Sequence, residues 1–284
     1  MDYCIVNGRI VTAAEALISV QDRGFRYGDG AFETIAVQGG VPCHFEWHMA
    51  RLATGLSAIK IAFDVENLRS HCRQLLKQNK GDDGILRIQV TRGIGSRGYW
   101  PNEGIAPAFV IETADMPIIP QTPGALIISE YAKISPRALP VRYKLCQGTN
   151  STLAWLEAAE NNCFDALLLN EQGQICETSS GNIFWFADEV LYTPALSCGV
   201  LDGATRAAVL RLSPYPVREV EAEIEAITQA EAVFITNSVW KALAIGRLRP
   251  VEKFWDSAAI AAEFRELLEK DRDDYCRENG VHWQ

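Results

Sequence analysis

Three residue groups in this chain of 284 residues have the types and the order needed for chemistry on a bound heteroaromatic ring: Lys144, then Glu177, then Gly203-Ala204-Thr205-Arg206. A lysine amine condenses with an aldehyde to a Schiff base, and a carboxylate opposite a ring nitrogen keeps that nitrogen protonated, so the ring draws in electrons. The first amides of a helix have no intrahelical partner and point at an anion such as phosphate. Each feature alone is ordinary: a lysine among 27 basic residues is a solvated charge, an acid a strand end, a glycine a turn. In sequence they are the set of contacts that pyridoxal 5'-phosphate requires.

The elements that must position these groups follow from periodicity and turn chemistry. Cys4-Ile5-Val6 and Arg9-Ile10-Val11 flank Asn7-Gly8, a two-residue hairpin turn. The run Asp22-Arg23-Gly24-Phe25-Arg26-Tyr27-Gly28-Asp29-Gly30 reads as a loop, equally suited to a surface turn or to lining a site, before a strand at 31–37. Met49, Leu52, Leu56 and Ile59 recur at helical spacing and predict a helix over 45–59, with a second over 65–78. Arg51 lies beside the first apolar stripe, where its plain reading is a snorkelling surface arginine. Strands at 85–90 and 108–112 flank a glycine-rich loop in which Arg97 and Tyr99 offer a guanidinium fork and a phenol, suited to an anionic ring compound or to a decorated hairpin.

The proline-rich run Met116 to Gly124 is the best linker. It divides the chain into an α+β lobe at 1–115, the linker at 116–124, and a larger lobe at 125–284 that carries Lys144. In the larger lobe strands are expected at 125–129, 166–169, 182–186, 190–192 and 232–236, and helices at 151–161, 203–212 and 256–271.

Composition narrows the function class. With 48% hydrophobic and 22% charged residues the chain is an ordinary globular protein, and its net charge of -9 argues against nucleic-acid binding. No stretch approaches a membrane span, and the start MDYCIVNGRI lacks the basic and apolar segments of a signal peptide. Eight scattered cysteines form no CxxC pair, so the expectation is reduced thiols in a cytoplasmic protein without a zinc site.

These motifs carry a family resemblance. The Asp22-to-Gly30 loop, His48-Met49-Ala50-Arg51-Leu52, Lys144, Glu177 to Phe184 and Gly203 to Arg206 resemble, in order, the class IV aminotransferases. These are the fold-type IV pyridoxal phosphate enzymes: branched-chain aminotransferases, D-amino-acid aminotransferases and aminodeoxychorismate lyases. The resemblance runs from the Asn7-Gly8 hairpin to about Leu248. It implies the two-lobed α+β fold of D-amino-acid aminotransferase, pyridoxal phosphate as cofactor, a small-molecule substrate, and a homodimer whose site lies between the lobes and is completed by the partner chain. It implies Lys144 as the Schiff-base lysine and Glu177 as the acid at the ring nitrogen. Arg51, Ala204, Thr205, Thr236 and Asn237 then hold the phosphate, and Arg97 and Tyr99 meet the substrate. One departure is the run Gln147-Gly148-Thr149 after the lysine, where many members carry asparagine three residues on. Within the family, Arg97-Gly98-Tyr99 and Thr236-Asn237-Ser238 resemble the lyases, since no histidine follows Arg97 as in the D-amino-acid enzymes. The alternative is an aminotransferase acting on D-amino acids or branched-chain amino acids. A binding module of the same fold would keep Arg51 and the helix start without the lysine or the acid; both are present.

Overall fold

Alternating burial along two long neighbouring strands builds the first sheet, in which every pairing is antiparallel. The computed structural model describes residues 2–283 and divides into two compact units. The first comprises the chain up to Pro117, Tyr143–Gln147, and the segment from Arg272 onward. Its elements are β1 (Tyr3–Val6), β2 (Arg9–Thr12), α1 (Arg23–Tyr27), β3 (Gly30–Gln38), β4 (Val41–Pro42), α2 (Phe45–Ala58), α3 (Leu68–Asn79), β5 (Gly84–Thr91) and β6 (Ala108–Ala114). The sheet order is β2-β1-β6-β5-β3-β4. Ile35, Leu86, Ile88 and Ile111 bury one face of it against Leu52, Leu56, Leu68 and Leu75 of α2 and α3. Each such side chain contributes about 1.5–3 kcal/mol by leaving water.

The second unit, Ile118–Arg142 with Gly148–Asp271, contains β7 (Gly124–Ile128), α4 (Thr149–Glu160), β8 (Asp165–Leu169), β9 (Ile175–Thr178), β10 (Asn182–Ala187) and β11 (Val190–Pro194). There follow α5 (Ala204–Leu212), β12 (Val217–Val220), α6 (Ile224–Thr228), β13 (Ala232–Asn237), β14 (Lys241–Arg249), β15 (Lys253–Phe254) and α7 (Ala258–Asn279), whose residues from Arg272 belong to the first unit. Its strands run β12-β11-β10-β13-β14-β7-β8-β9, and β9 pairs again with β10, so six of them close into a ring. Ile183, Ile235 and Ile245 line one core of this unit. Their sequence neighbours Phe184, Phe234 and Ala244 pack another with Val209 of α5 and Phe264 of α7. The period-two alternation thus buries both faces of the sheet.

Two expectations are corrected. The break at 116–124 does not give two continuous lobes, because Tyr143–Gln147 and the chain from Arg272 belong to the first unit, and Lys144 with them. The reason is backbone pairing: Phe32 N–H donates to Lys144 O at 2.9 Å, Cys146 N–H to Gly30 O at 3.0 Å, and Ala31 bridges Leu145. The run 22–30 is also not all loop. Asp22 caps the five-residue α1 by accepting from Gly24 N–H at 2.7 Å.

Candidate active site

In the first unit Lys144 projects from the segment laid along β3, with Nζ 4.6 Å from the centre of the Phe32 ring. The next residue, Glu33, is fully buried and gathers an arginine and a histidine. Its Oε1 accepts from Arg51 Nε at 2.7 Å, and its Oε2 from Arg51 Nη2 and His48 Nδ1, both at 2.6 Å. Arg51 is only 8% exposed and stacks on Trp47, so it does not snorkel as its place beside the apolar stripe suggested. The fork-to-carboxylate geometry fixes the plane of its guanidinium. Sequence reasoning missed Glu33 and gave His48 no role beyond its place in the motif His48 to Leu52, although a histidine and an arginine three residues apart share a helix face.

Charge in this cluster is one-sided. Burial alone would raise the Glu33 carboxyl, but Arg51 and His48 outweigh it and hold it down at about 2. Burial holds the His48 imidazole below its usual 6.5, and the charges of Arg51 and Lys144 act the same way against the pull of Glu33. His48 therefore donates to Glu33 as a neutral ring. Because the folded Glu33 value lies below the usual 4.5, its stabilisation is present above 4.5 and is lost as pH falls through about 2. Glu33→Gln is expected to lose about 3–5 kcal/mol near neutral pH, the cost of stripping one partner from a buried pair. In denaturant titrations the gap to wild type should then narrow as pH drops below 4.5. A gap that stays constant to low pH would mean that Glu33 is not the ionic partner.

In the second unit Glu177 lies on β9, 6% exposed. Its Oε2 accepts from Asn182 Nδ2 at 3.1 Å and Leu201 N–H at 2.9 Å, while Oε1 faces Lys133 Nζ at 2.5 Å. The intervening Thr178-Ser179-Ser180-Gly181 turn is tied to the buried Asp165, which accepts from Ser179 Oγ at 2.5 Å and Ser180 Oγ at 2.6 Å. Asn182 also donates to Leu201 O at 2.9 Å and sits against the start of α5. A Cβ on Gly203 would lie 2.2 Å from Asn182 Oδ1, so only glycine admits this approach.

No side chain caps α5, leaving its first amides, those of Ala204 and Thr205, at an open helix start. Thr236 pairs with Asn182 across β13 and β10, and its buried Oγ1 has no hydrogen-bond partner. Asn237 differs from its expected role. Its amide donates to Ser180 O at 3.2 Å and its oxygen accepts from Val239 and Trp240 N–H, so the side chain builds the turn. Lys133 and Asn182 are the residues missed here; each is recognisable only by its tertiary partner.

Arg97 and Tyr99 lie on the loop between β5 and β6, both exposed. Among the described residues no hydrogen bond or ion pair involves the Arg97 side chain, so the surface acid that would have explained it away is not there. Within the run Gln147-Gly148-Thr149, Gly148 is the N-cap of α4, so the helix starts at Thr149, two residues earlier than expected. Gln147 Oε1 is buried without a partner.

With this geometry in place the comparisons are informative. The family model "Amino-transferase class IV" matches residues 30–248. The chain belongs to the class IV aminotransferases. It is 27% identical to an aminodeoxychorismate lyase of Bacillus subtilis strain 168, over 97% of this chain and 96% of that protein. It is 28% identical to a D-alanine aminotransferase of Bacillus licheniformis, over 82% and 84% of the two chains. A solved 4-amino-4-deoxychorismate lyase from Pseudomonas aeruginosa superposes with a TM-score of 0.84 at 28% identity, covering 95% of this chain and 99% of that one.

Class IV aminotransferases are pyridoxal phosphate enzymes acting on small molecules, and the cofactor of this chain is pyridoxal 5'-phosphate. The residues present fit it. In the second unit the open start of α5 and the unpartnered Thr236 Oγ1 are donors of the kind a phosphate takes, and Glu177 is a buried carboxylate; in the first unit Lys144 carries an amine. No helix among the described residues is long and apolar enough to cross a membrane.

Proposed function

We propose that the chain is an aminodeoxychorismate lyase, converting 4-amino-4-deoxychorismate to 4-aminobenzoate and pyruvate, and that it works as a cytoplasmic homodimer. The observation that carries this reading is Arg97, exposed on a loop with pinned backbone and without a protein partner. The substrate bears two carboxylates, one on the ring and one on the enolpyruvyl arm, and a guanidinium fork and a phenol on one loop suit such a compound. The match to the Bacillus subtilis lyase over almost the full length of both chains supports it.

In this reading Lys144 holds the cofactor covalently, Glu177 faces the ring nitrogen, and Ala204, Thr205 and Thr236 take the phosphate, with Arg51 and the turn built by Asn237 assisting. When bound, pyridoxal phosphate would supply an electron-withdrawing ring conjugated to the amine-bearing carbon of the substrate. The Lys144 amine would take the proton from the amine-bearing carbon and return one to the methylene of the departing enolpyruvyl group. The C–O bond to the enolpyruvyl group breaks, pyruvate leaves with the returned proton on its methyl group, the ring becomes aromatic, and one proton is released overall because the substrate's ammonium becomes a neutral arylamine.

The test is incubation with aminodeoxychorismate and no keto acid. Many equivalents of pyruvate per chain are expected; none beyond one half-reaction would replace the lyase with an aminotransferase. That second reading has its own support in the 28% identity to the D-alanine aminotransferase, and faster turnover of D-alanine than release of pyruvate would establish it. Arg97→Ala should lower kcat/KM for aminodeoxychorismate about tenfold or more, roughly 1.4 kcal/mol, without changing the cofactor spectrum. Unchanged kinetics would return Arg97 to the surface.

A further inference from the structure

The two glycine-rich motifs of the first unit are one device. Arg23, 3% exposed, spends its whole guanidinium on three acceptors. Nε donates to Asp29 Oδ2 at 2.9 Å, Nη1 to Gly98 O at 2.8 Å and Nη2 to Tyr99 O at 2.9 Å. Its N–H donates to Gly93 O at 2.9 Å. The Tyr27 ring lies 4.8 Å below the guanidinium and 5.5 Å from the Tyr99 ring, while its hydroxyl accepts from Gly98 N–H at 2.9 Å. Asp29 is shared with Arg92, which donates to it at 2.7 and 2.9 Å and to the carbonyls of Ile59 and Lys60, each at 2.8 Å. A Cβ on Gly95 would meet Arg23 Cδ at 2.8 Å, so the loop closes over Arg23 only because glycine stands there.

We infer that Arg23 is a positioning residue for substrate specificity: by holding the carbonyls of Gly98 and Tyr99 it fixes the backbone from which Arg97 and Tyr99 project. This rests on the reading that Arg97 meets the substrate. The physical reason is pre-organisation. An arginine on a mobile, glycine-rich loop loses conformational entropy when it grips a carboxylate, and a loop already ordered by buried, charge-assisted hydrogen bonds avoids that cost. Three acceptors in a plane call for a guanidinium; a lysine ammonium reaches Asp29 but cannot fork onto two carbonyls as well.

The test uses the holoenzyme and four variants: Arg23→Gln, Arg23→Lys, Arg97→Ala, and Arg23→Gln combined with Arg97→Ala. Tryptic cleavage after Arg97, followed by mass spectrometry, reports loop opening independently of activity. Cleavage should quicken about tenfold or more in Arg23→Gln, and also in Arg23→Lys, which keeps the charge on Asp29 and guards against a variant that misfolds. KM for aminodeoxychorismate should rise about tenfold in Arg23→Gln while kcat stays within about threefold, because the reacting atoms are untouched. The double variant should show no KM increase beyond that of Arg97→Ala, since Arg23 acts through Arg97. Unchanged cleavage in both Arg23 variants overturns the clamp. Faster cleavage without a KM change, where Arg97→Ala does raise KM, overturns the positioning role. Faster cleavage with KM unchanged in both Arg23→Gln and Arg97→Ala sinks instead the assignment of Arg97 to substrate.

Discussion

Lys144→Ala should abolish turnover, by at least about 10⁴-fold, in a protein that still folds. Folding and turnover should separate because the backbone of the lysine's segment is itself tied down. Its carbonyl takes Phe32 N–H at 2.9 Å, Cys146 N–H reaches Gly30 O at 3.0 Å, and Leu145 bridges Ala31, all backbone contacts that survive the substitution. What is lost is the Nζ group beside Phe32. The measurement is mass spectrometry after borohydride treatment of reconstituted protein. Wild type should gain the mass of the reduced cofactor at Lys144, and the variant should gain nothing while still unfolding in a single cooperative transition. A variant that retains multiple turnovers near the wild-type rate would mean that another lysine is the covalent one.

Local pattern made much of the fold legible, and its failures have a common physical cause. Helices with an apolar stripe were placed within a few residues: Met49, Leu52 and Leu56 mark α2, and Leu68, Cys72, Leu75 and Leu76 mark α3. The five residues of α1 are too few for a period to appear, and only its Asp22 cap betrays it. The last helix was expected to stop at Asp271 but continues to Asn279. Its final turns carry mostly polar residues, and what anchors them is the packing of Tyr275 and Cys276 on the core of the first unit. The same holds at the site. The lysine, acid and helix start proposed for the cofactor stand out in the sequence because the proposed chemistry demands those types in order. Glu33, His48, Lys133 and Arg23 act through partners from 15 to 76 positions away, and a sequence shows a charge without showing whom it meets.

Glu177→Gln is the second substitution expected to have a large effect, and here stability and rate have to be told apart. The carboxylate has two separate tasks. Oε2 organises the site by accepting from Asn182 Nδ2 and Leu201 N–H, and Oε1 pairs with Lys133, whose side chain is 11% exposed. A glutamine can turn its one oxygen to Asn182 and Leu201, but its amide then faces the Lys133 ammonium, donor against donor. Leaving that buried cation without its partner costs about 3–5 kcal/mol. The rate should also fall, by about a hundredfold, since an opposite charge at a ring nitrogen is worth roughly 1–3 pKa units and each unit is a factor of ten. Adding Lys133→Gln removes the stranded cation and should restore most of the stability measured in denaturant titrations. It should not restore turnover, because an uncharged amide still stands where the ring nitrogen needs a carboxylate. Recovery of stability and rate together in the double variant would reduce Glu177 to the partner of Lys133 and take it out of the chemistry.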